Sequence, residues 1–335
     1  MNKKNWLLII LACVVTFSTY SCKSKDNNDS DEVVEWTRAT GFDGRARKGA
    51  VSFTVGNSAY VTTGVATENR VAVYKFDTYA YDSAKETWSK KADFPGVARD
   101  QAVAFTIGDF GYVGSGRDGT NTLSDFYRYD TKNDTWTQIA SLPADAARFG
   151  AVGFAVKGIG YIATGSDHLN DDSNVKTIYK YDPNANTWTL VENIFRSPMR
   201  SAFAFVIDNV AYVGGGVYNG QYLEEFYKFD GTDWSVITDA PLNNKDKGYN
   251  LTRSNASTFV INGMGYVVGG IKGTPISTVW KFNPTTRAWT SDNQTFQGQP
   301  RQDAVGFSFG NAGYITTGQS GSNRFDDTWK FVPVK

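Results

Sequence analysis

Arginine recurs along this 335-residue chain at near-equal steps, as Arg47, Arg99, Arg148, Arg200, Arg253 and Arg301. A guanidinium presents a rigid fork of donors that grips a carboxylate at two points. Six such groups around one axis would repel each other unless partnered, and would draw anions strongly. Two places after each Arg the residue type varies. Gln101, Asn255 and Asp303 stand against Gly49, Gly150 and Ala202. One side of a shared site would therefore be richer in hydrogen-bonding groups. These six Arg, with Gln101, Asn255 and Asp303, are the candidate ligand contacts. The competing role for each Arg is to bond carbonyls of a neighbouring unit and knit the structure together.

Other reactive groups are scarce. His168 is the single His, and the two Cys, Cys13 and Cys22, both lie in the first 22 residues. The rest of the chain has no thiolate nucleophile, no disulfide and no site built from several His ligands. The run Ser166-Asp167-His168-Leu169-Asn170-Asp171-Asp172-Ser173-Asn174 is rich in the oxygens that Ca²⁺ favours. Its spacing matches no Ca²⁺ loop, so it is read as a solvated loop and no metal is assigned. Gly318-Gln319-Ser320-Gly321 lacks the strand–turn–helix setting and the partnered His of a serine hydrolase. No catalytic residue and no cofactor is expected. Basic and acidic residues balance at 34 each. That balance gives no support for nucleic-acid binding, which wants a basic face.

The elements that must position these residues come from a repeat. A Tyr in a Gly-Tyr or Ala-Tyr strand recurs as Tyr60, Tyr112, Tyr161, Tyr212, Tyr266 and Tyr314. Trp follows as Trp36, Trp88, Trp136, Trp188, Trp234 and Trp289. A period near 50 residues means small sheets arrayed radially rather than one continuous core. Each repeat reads as four strands. In the second they are Ala102 to Ile107, Gly111 to Gly114, Phe126 to Asp130 and Thr135 to Ile139, with Gly108-Asp109 as a hairpin turn. The last repeat ends near Trp329 without a fourth strand, while Trp36 precedes the first Arg. Val33 to Ala39 is therefore expected to supply that strand and pair the two chain ends. The expectation is an all-β, six-bladed β-propeller over residues 33–335.

This pattern resembles the kelch repeat family. Its carriers are Val213-Gly214-Gly215-Gly216, Val267-Val268-Gly269-Gly270, the Tyr before them and the spaced Trp; Thr62-Thr63-Gly64, Ala163-Thr164-Gly165 and Thr316-Thr317-Gly318 keep one Gly. The resemblance implies a ligand site at the propeller mouth, where Arg often meets acidic partners. It also implies a loop-supporting Asp, read here as Asp125, Glu225 and Asp327, with Ala72, Thr177 and Thr278 elsewhere. Kelch propellers of bacterial envelopes include sialic acid mutarotases, which resemble each other in a Glu soon after a second strand. Here the residues after the closing Gly are Val65, Arg117, Ser166, Val217, Ile271 and Gln319, and none is Glu; Glu224 or Glu225 would have to substitute. Galactose oxidase also has kelch blades, but one His and no Cys after residue 22 exclude its copper site.

Residues 1–21 resemble a bacterial lipoprotein signal, with Lys3 and Lys4 before an apolar stretch. Cys22 is the expected lipidation site, and residues 22–32 the acidic tether, which resembles the surface-export signal of Bacteroidetes lipoproteins. Asp82-Ser83-Ala84 resembles a Bacteroidetes O-glycosylation motif, with Ser83 as acceptor. The functional expectation is a non-catalytic envelope lipoprotein, lipid-anchored at the outer membrane on its surface or periplasmic face. It would bind a glycan or an outer-membrane protein through the propeller mouth and loops such as Tyr218 to Tyr222. The alternative is a mutarotase or epimerase of a carboxylated sugar such as sialic acid.

Overall fold

The computed structural model describes residues 34–169, 173–192, 194–291 and 295–333. The signal segment, Cys22, the tether and Val33 lie outside the described residues. Among the described residues there is no α-helix; strands are joined by turns and one 3₁₀ turn at Ala144–Ala146.

Six antiparallel four-stranded sheets carry the fold. The second is typical: Val103–Ile107, Phe110–Gly114, Phe126–Asp130 and Thr135–Ile139, each paired with the next. The others begin with Val51–Val55, Val152–Val156, Phe203–Ile207, Ser257–Ile261 and Val305–Phe309. In the last sheet the outer strand is Val34–Ala39, which pairs with Thr328–Pro333 in register Trp36 to Phe331. The first strand of each sheet touches the first strand of the next, and the sixth touches the first.

Side-chain alternation explains why the sheets stack. In strand 103–107, Val103 and Phe105 are buried while Ala104 and Thr106 are half-exposed, the period of two expected of a strand with one packed face. Phe53 and Tyr60 of the first sheet stack at 5.0 Å and meet Tyr129 of the second; Phe53 also meets Trp136. Where Gly precedes the Tyr it makes room for this contact: a Cβ at Gly111 would collide with the Phe53 ring. The indoles of Trp88, Trp136, Trp188 and Trp289 add hydrogen bonds to backbone carbonyls. Trp136 Nε1 donates to the Ala92 carbonyl at 3.0 Å and Trp188 Nε1 to that of Ala140 at 2.8 Å. Burying one such aromatic contributes about 1.5–3 kcal/mol.

Two hydrogen-bond circuits run through all six repeats. In one, the amides of Gly64, Gly116, Gly165, Gly216, Gly270 and Gly318 donate to the carbonyls of Arg99, Arg148, Met199, Arg253, Arg301 and Arg47 at 2.7–2.8 Å. In the other, each residue donates its amide to the carbonyl of the one before it, in the order Gly49, Gln101, Gly150, Ser201, Asn255, Asp303 and back to Gly49. The six bonds measure 2.7–3.1 Å.

Candidate functional site

Five of the six Arg do not reach the axis. Arg47, Arg99, Arg148, Arg253 and Arg301 are at most 2% exposed. Each is held in the same way. Its Nε donates to the carbonyl two residues back, and its Nη1 to the carbonyl sixteen residues on. In three repeats a carboxylate completes the cage. Arg47 grips Asp77 at 2.6 and 2.9 Å, Arg99 grips Asp125 at 2.6 and 2.7 Å, and Arg301 grips Asp327 at 2.6 and 3.1 Å. A buried guanidinium must have such partners, because an unpaired one carries a desolvation cost of several kcal/mol. These five Arg therefore knit the sheets, and their expected place at a shared mouth is corrected. The first-repeat counterpart of Asp125 is likewise corrected from Ala72 to Asp77. The hairpin formed by Val65–Glu68 and Val71–Tyr74 displaces the third strand and hides the alignment.

In the third and fifth repeats the carboxylate is replaced. Arg148 has only the carbonyls of Thr164 and Thr177 at its Nη1, while Arg253 adds the Thr278 hydroxyl at 2.9 Å. Burial without a carboxylate pushes both guanidinium groups down to about 10.

The fourth repeat is out of step by one. Met199, 1% exposed, occupies the Arg position: its carbonyl takes the Gly165 amide in the first circuit. Arg200 follows it and lines the central cavity instead. The spacing to the small residue marked this slip. Arg precedes Ala by three in Arg47–Ala50, Arg99–Ala102, Arg148–Ala151, Arg253–Ala256 and Arg301–Ala304, but by two in Arg200–Ala202. For the same reason the residue in the second circuit is Ser201, not Ala202.

What faces the axis are the one or two residues that follow the Arg position. A cavity of about 430 Å³ opens above the second circuit. Its cationic lining is Lys48, Arg117 and Arg200. Arg117 is fixed from two sides. Its Nε donates to buried Asp100 at 3.0 Å, and its guanidinium lies 4.6 Å from the Phe149 ring centre. Phe149, Leu169 and Val217 form an apolar wall, and Ser254, Gln302 and Gln319 a neutral polar one. Short backbone bridges hold these rows together, among them Asp100 with Arg117, Phe149 with Ser166 and Arg200 with Val217.

At the floor the cavity narrows to a neck of about 150 Å³, lined by Gly49, Gln101, Gly150, Ser201, Asn255 and Asp303 over six Ala. All six neck residues have positive φ, from 50° to 61°. Gln101, Asn255 and Asp303 thus share one place, on the axis. Asn255 Nδ2 donates to Asp303 Oδ1. Burial raises the Asp303 carboxyl above its ordinary range, against the opposing pull of Lys48 and the Asn255 bond.

The remaining candidates lie elsewhere. Glu224 accepts from Asn243 at 2.7 Å on the exterior, and neither it nor Glu225 lines the cavity. His168 is exposed beside Asp167, with Nδ1 2.8 Å from Oδ1. Ser83 sits half-buried at the turn between Thr78–Asp82 and Thr87–Lys91. Asn170 to Asp172 of the oxygen-rich loop lie outside the described residues.

Comparison with known proteins places these features. The Kelch motif model matches residues 116–143 and 252–292. Kelch-like protein 25 of Xenopus tropicalis is 25% identical over 256 residues, 73% of this chain and 40% of that protein. Kelch-like protein 23 of Pongo abelii is 25% identical, over 64% of this chain and 45% of that protein. The N-acetylneuraminate epimerase of Shigella boydii is 37% identical over 99 residues, 28% of this chain and 26% of the epimerase. The chain spans less than half the length of these curated relatives. The solved structure of YjhT superposes with a TM-score of 0.71 at 16% identity, over 87% of this chain and 95% of that one, a likeness of fold. Together these findings support a kelch-repeat propeller.

Proposed function

We propose that this chain is a six-bladed kelch propeller, closed through its N-terminal strand, whose axial cavity binds a carboxylated sugar without transforming it. The six sheets, the pairing of Val34–Ala39 with Thr328–Pro333 and the two returning circuits support the count and the closure. The observation that carries the ligand class is the cavity lining. Lys48, Arg117 and Arg200 stand beside an apolar wall and a row of amides and hydroxyls. Cations attract the carboxylate, neutral polar groups receive hydroxyls, and the apolar wall takes a sugar face. A volume near 430 Å³ is in the range of small-ligand sites. The epimerase among the relatives makes N-acetylneuraminate the first ligand to try. Calorimetric titration tests the reading. N-acetylneuraminate binds and neutral N-acetylmannosamine does not; equal binding of both, or of neither, overturns it.

A second reading, mutarotation of the same sugar, has one observation in its favour. Asp303 is a carboxyl of raised pKa facing the cavity, where Glu224 and Glu225 are not. A carboxyl of raised pKa is suited to take the anomeric hydroxyl proton and hand a proton to the ring oxygen as the ring C–O bond opens, and to reverse both transfers on closure. Anomer exchange measured by NMR that is faster with wild type than with Asp303→Asn would favour this reading. In either case Cys22 anchors the protein to the outer membrane in the proposal; loss of fatty-acid labelling in Cys22→Ser checks the anchor.

A further inference from the structure

The second circuit holds its side chains against a conformational preference. Gly49 and Gly150 meet the positive φ at no steric cost, but Gln101, Ser201, Asn255 and Asp303 adopt it at 50–56°. A non-glycine residue in the left-handed region costs on the order of 1 kcal/mol or more, least for Asn. Two glycines on the same circuit show that the backbone needs no side chain there. The four side chains are thus kept on the axis in spite of the strain, and such strain concentrates at sites that bind.

Their hydrogen bonding is incomplete. Gln101 Oε1 is buried and has no partner. Asp303 accepts the Asn255 amide on Oδ1. Just behind the neck, Asp100 Oδ2 is also buried without a partner, close to Gly49. A buried acceptor left unmade costs about 1–3 kcal/mol, so this ring calls for donors from outside the chain. The cavity above it has the opposite character, with Lys48, Arg117 and Arg200. Gln101, Asn255 and Asp303 line both spaces, so the two are continuous.

We propose that the neck is a second subsite, in which Gln101, Asn255 and Asp303 receive hydroxyl donors of the ligand's polyol portion while its carboxylate stays at the cationic rim. This rests on the reading of the cavity as a carboxylate site, and adds an orientation and a specificity to it. A ligand bound this way lies along the axis, acid end outward.

The test compares two carboxylates of equal charge by calorimetry. N-acetylneuraminate carries the polyol tail; cyclohexanecarboxylate has none. Both are titrated into the full chain and into Gln101→Met, which keeps length and removes the acceptor, and separately into Asp303→Asn. The expected result is a loss of about threefold to tenfold in N-acetylneuraminate affinity in each variant, the worth of one neutral hydrogen bond. Cyclohexanecarboxylate affinity stays within twofold. The subsite is refuted if N-acetylneuraminate binds and neither variant weakens it, or if both ligands weaken alike. Binding of cyclohexanecarboxylate but not N-acetylneuraminate by wild type also refutes it, while leaving the cationic rim standing. Binding of neither removes the rim and the subsite together. Gln101 makes no hydrogen bond within the chain at Oε1, so its replacement by Met tests the ligand rather than the fold.

Discussion

Asn255 and Asp303, in neighbouring repeats, are bonded to each other twice: the Asp303 amide donates to the Asn255 carbonyl at 3.1 Å, and Asn255 Nδ2 donates to Asp303 Oδ1. The second bond does not offset what burial does to the carboxylate, whose pKa rises. The sign follows. A carboxyl raised in the folded state holds its proton more tightly there than in the unfolded chain. Stability therefore falls as pH climbs from the unfolded value through the folded one. Asp303→Asn removes that penalty. The expected outcome is a higher Tm than wild type at pH 7 and an equal Tm at pH 3, measured by differential scanning calorimetry.

Arg99 and Arg200 look alike in sequence and differ in consequence. Arg99→Met leaves Asp125 half-buried without its partner and should cost about 3–5 kcal/mol in denaturant unfolding. Arg200→Met, at a half-exposed position, should cost about 1 kcal/mol or less. Equal costs would mean that the one-residue slip at Met199 has been misplaced.

The contrast shows what sequence carried and what it did not. The Tyr and Trp period gave the sheets because packing of large aromatics recurs wherever one sheet meets the next. The second-repeat strands fall within a residue of their expected bounds. The Arg were legible as a set but not as a role, since burial depends on partners sixteen and about thirty residues away. The neck was partly legible. Gln101, Asn255 and Asp303 stood out by type, yet Lys48 and Arg117 were missed as cations of the cavity. A residue's direction at positive φ is a backbone property that composition does not display. Arg117 had one available signal, its place directly after the closing Gly116.

Arg148 offers a gain of stability. In the first, second and sixth repeats an Asp satisfies both arms of the Arg; here Thr177 gives only its carbonyl, at 3.2 Å. Thr177→Asp should supply a bidentate partner and add about 0.5–2 kcal/mol at pH 7. That gain should begin to shrink near pH 4, the ordinary carboxyl range, and be lost as pH falls through the lower pKa of the paired carboxyl. Urea midpoints at pH 7 and pH 3.5 read both effects.

Acid should unfold the ring through Asp77 and Asp327. Burial raises each, but the hydrogen bonds and charge of Arg47 and Arg301 outweigh it, so both are held below the usual carboxylate range. For a depressed carboxyl, the stabilisation is complete above the unfolded pKa and is lost as pH falls through the folded one. Wild type should therefore lose stability steadily below about pH 4. Asp77→Asn should be less stable than wild type at pH 7, with a flatter acid limb in circular dichroism.

The Val34–Ala39 strand is the only part of the last sheet that comes from the other end of the described chain. Deleting residues 34–39 exposes the edge of Thr328–Pro333 and the ring of Phe331, which packs 4.8 Å from Trp36. The expected outcome is loss of a single cooperative transition and a rise in aggregation, seen by calorimetry and light scattering.

In the proposed function the cationic rim of the axial cavity selects a carboxylated ligand. The most direct measurement is the affinity of N-acetylneuraminate for wild type and for Lys48→Met/Arg200→Met, by isothermal titration calorimetry at low salt. Charged hydrogen bonds are worth about 1.5–3 kcal/mol each, so the double variant should bind at least about tenfold more weakly while its Tm stays near that of wild type. Unchanged affinity in that variant would place the ligand outside the axis and rule out the cationic rim as its site.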